Sequence, residues 1–464
     1  MRSFLPYLAA FACLSSADAF MAPSRTVPAG VRRMSMAATS AAKTDNSIRA
    51  ARKASDMRYN KLGDSDLLVS EVCLGTMTWG KQNSETEAMR QLDLAVDKYG
   101  VNFIDTAEGY PIPLQPETAG DTDRMIGKWL AGRDRSKVIL ASKLCGSSRR
   151  LTWFRDDGKG TRVTRKQIFE SVDKSLKRLN TDYIDLMQIH WPDRYVPLFG
   201  PNRYDVSMET AAVSFEEQLE AMNELIQQGK IRQWGLSNET PFGVMAFVSL
   251  AMEQGLTKPV SVQNSYSLLT REFESGLAEV CSPSHTNTAL LPYSPLSAGV
   301  LTGKYDILPG AKQANLDMPS KAKAAAPFEG SSPKSRLNLL KGYRARYESS
   351  AAPAAVLEYS KIAAKYGMTP SQLALAFVAS RPFVPSTIIG ATSAEQLEEN
   401  LGAFALEFTQ EMLDDIEDVA SRYPDPWRTP QVQHSSNKSM LQKQHSQNSV
   451  HKNTEASCNR CCAS

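Results

Sequence analysis

Histidine is scarce in this chain. There are five in 464 residues, and three of them, His434, His445 and His451, fall in a polar C-terminal stretch. His190 and His285 are left for the body, so no constellation of metal ligands is expected. Cysteine is also sparse. Cys13, Cys73, Cys145 and Cys281 stand at unrelated spacings, and Cys458, Cys461 and Cys462 crowd the last residues, which excludes a disulfide scaffold in so long a chain. A charge excess is missing too. The 53 Lys and Arg against 50 Asp and Glu leave +3, which argues against a nucleic-acid binder. The apolar run Leu5–Leu14 is too short to span a bilayer, and no membrane association of the mature chain is expected. There is no Gly-x-Gly-x-x-Gly turn, so a doubly wound dinucleotide-binding sheet is disfavoured. Gly75-x-x-x-x-Gly80-Lys81 is one residue short of a phosphate-binding P-loop. Gln82 follows where Mg²⁺ coordination needs Ser or Thr.

The N-terminus reads as a leader. Arg2, the Leu5–Leu14 run and Ala17-Asp18-Ala19 give residues 1–19 the form of a signal peptide. Residues 20–55 are rich in Ala, Ser, Thr and Arg, and Asp45 is their only acid, as in a transit peptide. The junction through Phe20-Met21-Ala22-Pro23 resembles the bipartite leader of algae with secondary plastids. That resemblance implies plastid import, with secretion as the alternative. At the other end, residues 426–464 are Gln-, Ser-, Asn- and Lys-rich and read as a disordered tail.

Between them, residues 57–425 alternate strand-like and helix-like segments. A hairpin over 58–70 is followed by eight strands: 72–75, one ending at Asp105, 138–143, 184–189, 231–236, 260–263, 290–293 and 387–390. Helices are expected at 85–98, 122–131, 166–179, 214–228, 394–403 and 409–421. Residues 306–350 read as a long loop over the mouth. Eight strands alternating with helices make the fold α/β, a (β/α)8 TIM barrel with an N-terminal β-hairpin and an extra C-terminal helix.

Three of the strands end on reactive side chains. One ends on Asp105, with Tyr110 five residues on, one on Lys143 and one on His190. Barrel enzymes build their sites at the C-terminal ends of strands. A phenol of ordinary pKa is a poor acid near neutrality, and an adjacent ammonium lowers that pKa. Asp105 then holds and charges Lys143, while His190 hydrogen-bonds a substrate carbonyl. His285 reads as a loop residue.

These segments resemble the aldo-keto reductases. Phe103-Ile104-Asp105-Thr106-Ala107-Glu108-Gly109-Tyr110 matches that family's Asp-to-Tyr segment. Ala141-Ser142-Lys143 matches its lysine strand, and Gln188-Ile189-His190-Trp191-Pro192-Asp193 its histidine strand. Tyr110-Pro111-Ile112-Pro113, Pro116-Glu117-Thr118 and Gln263-Asn264-Ser265-Tyr266-Ser267-Leu268-Leu269 resemble its Tas-like branch in particular. The resemblance implies NADPH, reduction of a small-molecule aldehyde or ketone to an alcohol, and Asp105, Tyr110, Lys143 and His190 as the catalytic set. For the cofactor it implies Ser237, Asn238 and Gln263 at the carboxamide and Tyr293 stacked on the nicotinamide ring. Ser294, Leu296, Gly299 and Lys304 fall in the pyrophosphate-covering loop, and Thr76 and Met77 on the ribose side. Gly390 opens the adenosine-phosphate segment, with Thr392 and Gln396 at the 2′-phosphate, Glu399 and Asn400 at the adenine, and Arg336 as a further cation. A monomer or weak oligomer is expected. The alternative function is a cofactor-binding regulatory subunit resembling potassium channel β-subunits; compared members of that group lack the tetrad histidine, and His190 is present here. Trp79, Trp153, Phe154, Trp191 and Tyr195 are candidate pocket walls.

Overall fold

The computed structural model describes residues 52–198, 203–305, 336–339, 347 and 350–428. The signal peptide, nearly all of the transit-like segment and of the polar tail, and most of the 306–350 loop lie outside the described residues.

A short antiparallel hairpin, β1 (Tyr59–Lys61) and β2 (Leu68–Ser70), precedes eight parallel strands. These are β3 (Val72–Gly75), β4 (Phe103–Asp105), β5 (Ile139–Leu144), β6 (Ile184–Ile189), β7 (Ile231–Ser237), β8 (Ser261–Gln263), β9 (Ala289–Leu290) and β10 (Thr387–Ile389). They pair in the order β10-β3-β4-β5-β6-β7-β8-β9. The two ends of that row meet where Ile388 N donates to Pro292 O at 3.1 Å, so the sheet curls back on itself as a barrel. The expected fold and the N-terminal hairpin are both present.

Strand parity decides what faces inward, because successive side chains point to opposite faces. Cys73, Phe103, Ala141 and Leu186 form the barrel interior with Leu62, Leu67 and Val69 of the hairpin, which plugs its base. Their neighbours Leu74, Ile104, Leu140 and Met187 pack outward against the helices. Two residues further along the inward set come Asp105, Lys143 and Gln188. The polar layer therefore sits directly above the apolar plug. Gly63, at φ +55°, lets the hairpin turn dock on the barrel floor. A Cβ there would stand 2.4 Å from Val260 O.

The outer helices begin at conventional caps. Ser84, Thr164, Ser214, Thr240, Thr369, Ser393 and Thr409 each accept a hydrogen bond from the N–H three residues on. The helix expected at 85–98 is α1 (Glu85–Asp93) continued by a π-turn over Leu94–Lys98. Next come α2 (Asp121–Leu130), α3 (Arg165–Leu179) and α4 (Phe215–Gln227), close to the expected spans. Among the described residues, α5 (Pro241–Gln254), the short helix Leu277–Cys281 and, later in the chain, Ala352–Lys365 and Pro370–Ala379 were not foreseen. In α5 apolar residues occupy both faces, with Phe242 and Met252 exposed and Val244 and Phe247 buried, so no single-face period marks it. The last two helices, Ala394–Ala403 and Gln410–Arg422, match the expected 394–403 and 409–421. Among the described residues no helix is long and apolar enough to cross a membrane.

Candidate active site

The inward parity of β4, β5 and β6 brings the reactive strand ends together. Lys143 is fully buried, and its Nζ donates to Asp105 Oδ2 at 2.6 Å, to Thr106 O at 2.8 Å and to Tyr110 Oη at 3.2 Å. Burial works against the ammonium, but the charge of Asp105, with Tyr110, outweighs it and holds the lysine above its ordinary pKa. For Tyr110 the balance differs from the expectation. Burial dominates and pushes the phenol above its usual value, while Lys143 pulls it down only in part. The site thus stores a protonated phenol beside a cation, not a ready phenolate.

His190 stands beside them, its ring edge-on to Tyr110 at 5.7 Å between centroids. Burial, with Lys143's charge, pushes its pKa well below the usual histidine value, so the imidazole is neutral at neutral pH. Its Nδ1 is enclosed and has no hydrogen-bond partner among the described residues, although the residue as a whole keeps some exposure. An enclosed lone pair costs less than an enclosed, unsatisfied N–H. With the ring proton on Nε2, that enclosed position holds only a lone pair.

The structure adds members the sequence did not single out for this layer. Gln263 Nε2 donates to Asp105 Oδ1 at 2.8 Å and to Gln188 Oε1 at 3.2 Å, and Gln188 Nε2 reaches the same Asp105 oxygen at 3.4 Å. Gln263, expected at the cofactor carboxamide, here orients the carboxylate. No sequence pattern ties residue 263 to 105; only barrel register does.

Several of the residues expected at the cofactor are tied to the same strand ends. Ser237 Oγ donates to Gln263 O at 2.8 Å. Asn238, at φ +53°, donates from Nδ2 to His190 O at 2.9 Å and accepts from Tyr293 Oη at 2.7 Å. Thr76 is buried, its hydroxyl donating to Asp105 O at 2.9 Å, and Met77 O receives Ile112 N. Thr76 is therefore a clamp between strand ends. The segment after Tyr293 has an uncommon backbone: Ser294, Ser297, Ala298 and Gly299 all have positive φ, with Leu296 between them. Such left-handed runs build the concavities that hold anions. Lys304 folds over Gly299, its Nζ 3.3 Å from where a Cβ would stand. Burial, then the charge of Arg336, lowers its pKa. The Arg336 charge is also felt at Tyr110.

At the other edge, Gly390 precedes the helix Ala394–Ala403, whose cap Ser393 accepts Gln396 N at 3.3 Å. Thr392 Oγ1 donates to Gln396 Oε1 at 2.8 Å. Thr392, Gln396 and Glu399 are exposed on the first turns, and Asn400 is buried. Among the described residues no group of His, Cys, Asp and Glu is arranged to hold a metal. Of the candidate walls, Trp153, Phe154 and Trp191 cluster with Leu114 and Cys145, with Phe154 against Gly109. Trp79 does not: it is fully buried in the core, with Nε1 donating to Gln91 Oε1 at 3.1 Å. Tyr195 packs on Tyr204.

Comparison with known proteins agrees with the fold. The model of the "Aldo/keto reductase family" matches residues 71–421. The chain is 43% identical over 375 residues to the "Protein tas" of Escherichia coli (strain K12), covering 80% of this chain and 99% of that protein. It is 41% identical over 275 residues to an "Aldo-keto reductase" of Babesia bovis, 57% of this chain and 89% of that one. A "Putative voltage-gated potassium channel subunit beta" of Schizosaccharomyces pombe is 32% identical over 374 residues, 79% of this chain and 94% of that protein. Aldo/keto reductases are oxidoreductases that act on small carbonyl compounds, and the α/β barrel described above is their fold. This chain belongs to the aldo/keto reductase family.

Proposed function

We propose that the protein is an NADPH-dependent reductase that converts aldehydes or ketones to alcohols, with Tyr110 as the proton donor. The observation that carries this reading is Lys143 Nζ placed between Asp105 Oδ2 and Tyr110 Oη, at 2.6 and 3.2 Å. NADPH, when bound, supplies the hydride. The groups that would hold it are the positive-φ run at 294–299 with Lys304 folded over Gly299, and the helix start at Thr392–Gln396. Ser294, Leu296 and Gly299 would cover the pyrophosphate, and Thr392 and Gln396 would meet the 2′-phosphate.

The protein's own groups divide the remaining work. Tyr110 carries its proton in the resting site because burial raises its pKa. It gives that proton to the substrate oxygen, and the phenolate left behind is stabilised by the ammonium of Lys143. Asp105 keeps Lys143 charged and aimed, and Gln263 and Gln188 keep Asp105 aimed. His190, neutral with its proton on Nε2, donates a hydrogen bond to the carbonyl oxygen and polarises it. The presence of this histidine supports a turning-over enzyme over a cofactor-binding regulatory subunit. Oxidation of NADPH against a panel of aldehydes and ketones tests the reading. Absence of turnover with every carbonyl, in protein shown to bind NADPH, would sink it. For residues 1–55 the composition supports plastid import, and a fluorescent fusion of that segment found outside the plastid would refute it.

A further inference from the structure

The segment between Asp105 and Tyr110 contains a second acid, Glu108. It is 2% exposed and faces Arg155, which is 3% exposed. Arg155 grips it with both ends of the guanidinium, Nη1 to Oε2 at 2.8 Å and Nη2 to Oε1 at 2.9 Å. Cys145 N donates to Oε1 at 2.7 Å, and Ser171 Oγ to Oε2 at 2.7 Å. Glu108 N itself donates to Lys143 O at 3.0 Å. One carboxylate thus joins four pieces of chain: the Tyr110 segment, the end of β5, the 145–164 loop and α3.

The position of Arg155 gives this node its consequence. It follows Trp153 and Phe154, which pack with Leu114, Cys145 and Trp191. That cluster leans on the catalytic segment: a Cβ on Gly109 would meet Leu114 Cδ2 at 2.8 Å and Phe154 Cζ at 3.5 Å. Trp191 continues it to the reacting groups, since its ring lies 5.0 Å from His190 and its Nε1 is anchored on Ser147 O at 3.0 Å. An apolar wall thus runs from Gly109 through Phe154, Trp153 and Trp191 back to His190. Dispersion alone would let such a wall slide. A buried, bidentate ion pair has direction and fixes it.

We propose that Glu108 and Arg155 are positioning residues that lock the Trp153–Phe154 wall to the Tyr110 segment, so that the pair sets the enzyme's selectivity for bulky aromatic carbonyls over small aliphatic ones. This rests on the reductase reading above. A small aldehyde needs only Tyr110, His190 and the hydride. A two-ring aldehyde also needs the wall held at a fixed distance.

Arg155→Lys tests it. Lysine keeps the buried charge but offers a point donor in place of the fork. The measurement is kcat and KM for propanal and for 2-naphthaldehyde with saturating NADPH. The expected result is a rise in KM for 2-naphthaldehyde of about tenfold, the scale of pocket-fit effects, with propanal changed less than about twofold. Ser171→Ala leaves the ion pair and removes one contact to Glu108. It should shift the same ratio in the same direction by a smaller factor, and it serves if the lysine variant does not fold. A lower melting temperature with an unchanged ratio of kcat/KM between the two aldehydes, in either variant, would make the pair a purely structural contact and overturn the inference. If the unmodified protein oxidises NADPH with neither aldehyde nor any other carbonyl of the panel, it is the reductase reading that fails.

Discussion

Asp105 and Lys143 occupy adjacent parallel strands, and their side chains meet 2.6 Å apart on the inward face of the barrel. Both are buried, so neither charge has water to fall back on. Removing one partner of such a pair typically costs about 3–5 kcal/mol, because the other charge is left uncompensated. The two removals should not be equal here. With Lys143→Met, Asp105 still accepts from Gln263 and Gln188. With Asp105→Ala, Lys143 keeps only Thr106 O and Tyr110 Oη. Urea unfolding should therefore show the larger loss for Asp105→Ala. The double variant should lose less than the sum of the two, since their effects are coupled. Strict additivity would mean the pair does not interact as the geometry requires.

Tyr110→Phe keeps the ring and removes only a hydroxyl whose partner is Lys143 Nζ at 3.2 Å. Folding stability should change by about 1 kcal/mol or less, the net worth of one hydrogen bond. Reduction should fall by about 10²–10⁴-fold, the usual contribution of a positioned proton donor. NADPH affinity, read by quenching of protein fluorescence, should stay as it was. Near-normal turnover would remove Tyr110 from the acid's role.

The barrel, its hairpin and four of its reactive side chains are legible in the sequence because parity and strand ends are local facts. A run such as Ile184–Ile189 announces both a buried strand and the residue at its exit. What is not legible is long-range register. Gln263 joins Asp105 across 158 positions, and Glu108 finds Arg155 across 47. Neither contact follows from spacing. Helix α5 also escapes notice, since residues facing solvent on it include Phe242 and Met252, and its period is blurred. The sign of the Tyr110 shift escapes for a similar reason. The lysine beside it is visible in the sequence, and the depth of its burial is not.

His190 makes the stability of the protein depend on pH in a definite direction. Its folded pKa lies well below 6.5, its ordinary value. Below about pH 6.5 the unfolded chain takes up a proton that the folded chain refuses, so stability falls as pH falls. The loss runs from about 6.5 down to the folded pKa, at no more than about 1.4 kcal/mol per pH unit for one group. His190→Gln should flatten this slope between pH 6.5 and 5, where few carboxylates titrate. An unchanged slope in urea-midpoint measurements would mean that the ring takes up protons freely in the fold.

The helix Ala394–Ala403 offers its first turn to an anion, with Gln396 exposed and receiving Thr392 Oγ1. If the 2′-phosphate sits there, NADPH should bind more tightly than NADH, and the difference should shrink with added salt as screening weakens surface electrostatics. Gln396→Glu places a like charge beside that phosphate without disturbing a buried group. It should weaken NADPH by about two- to fivefold, the range expected for a charge near an exposed helix start, and leave NADH almost unaffected. Equal losses for both cofactors in a binding titration would move the phosphate away from Gln396.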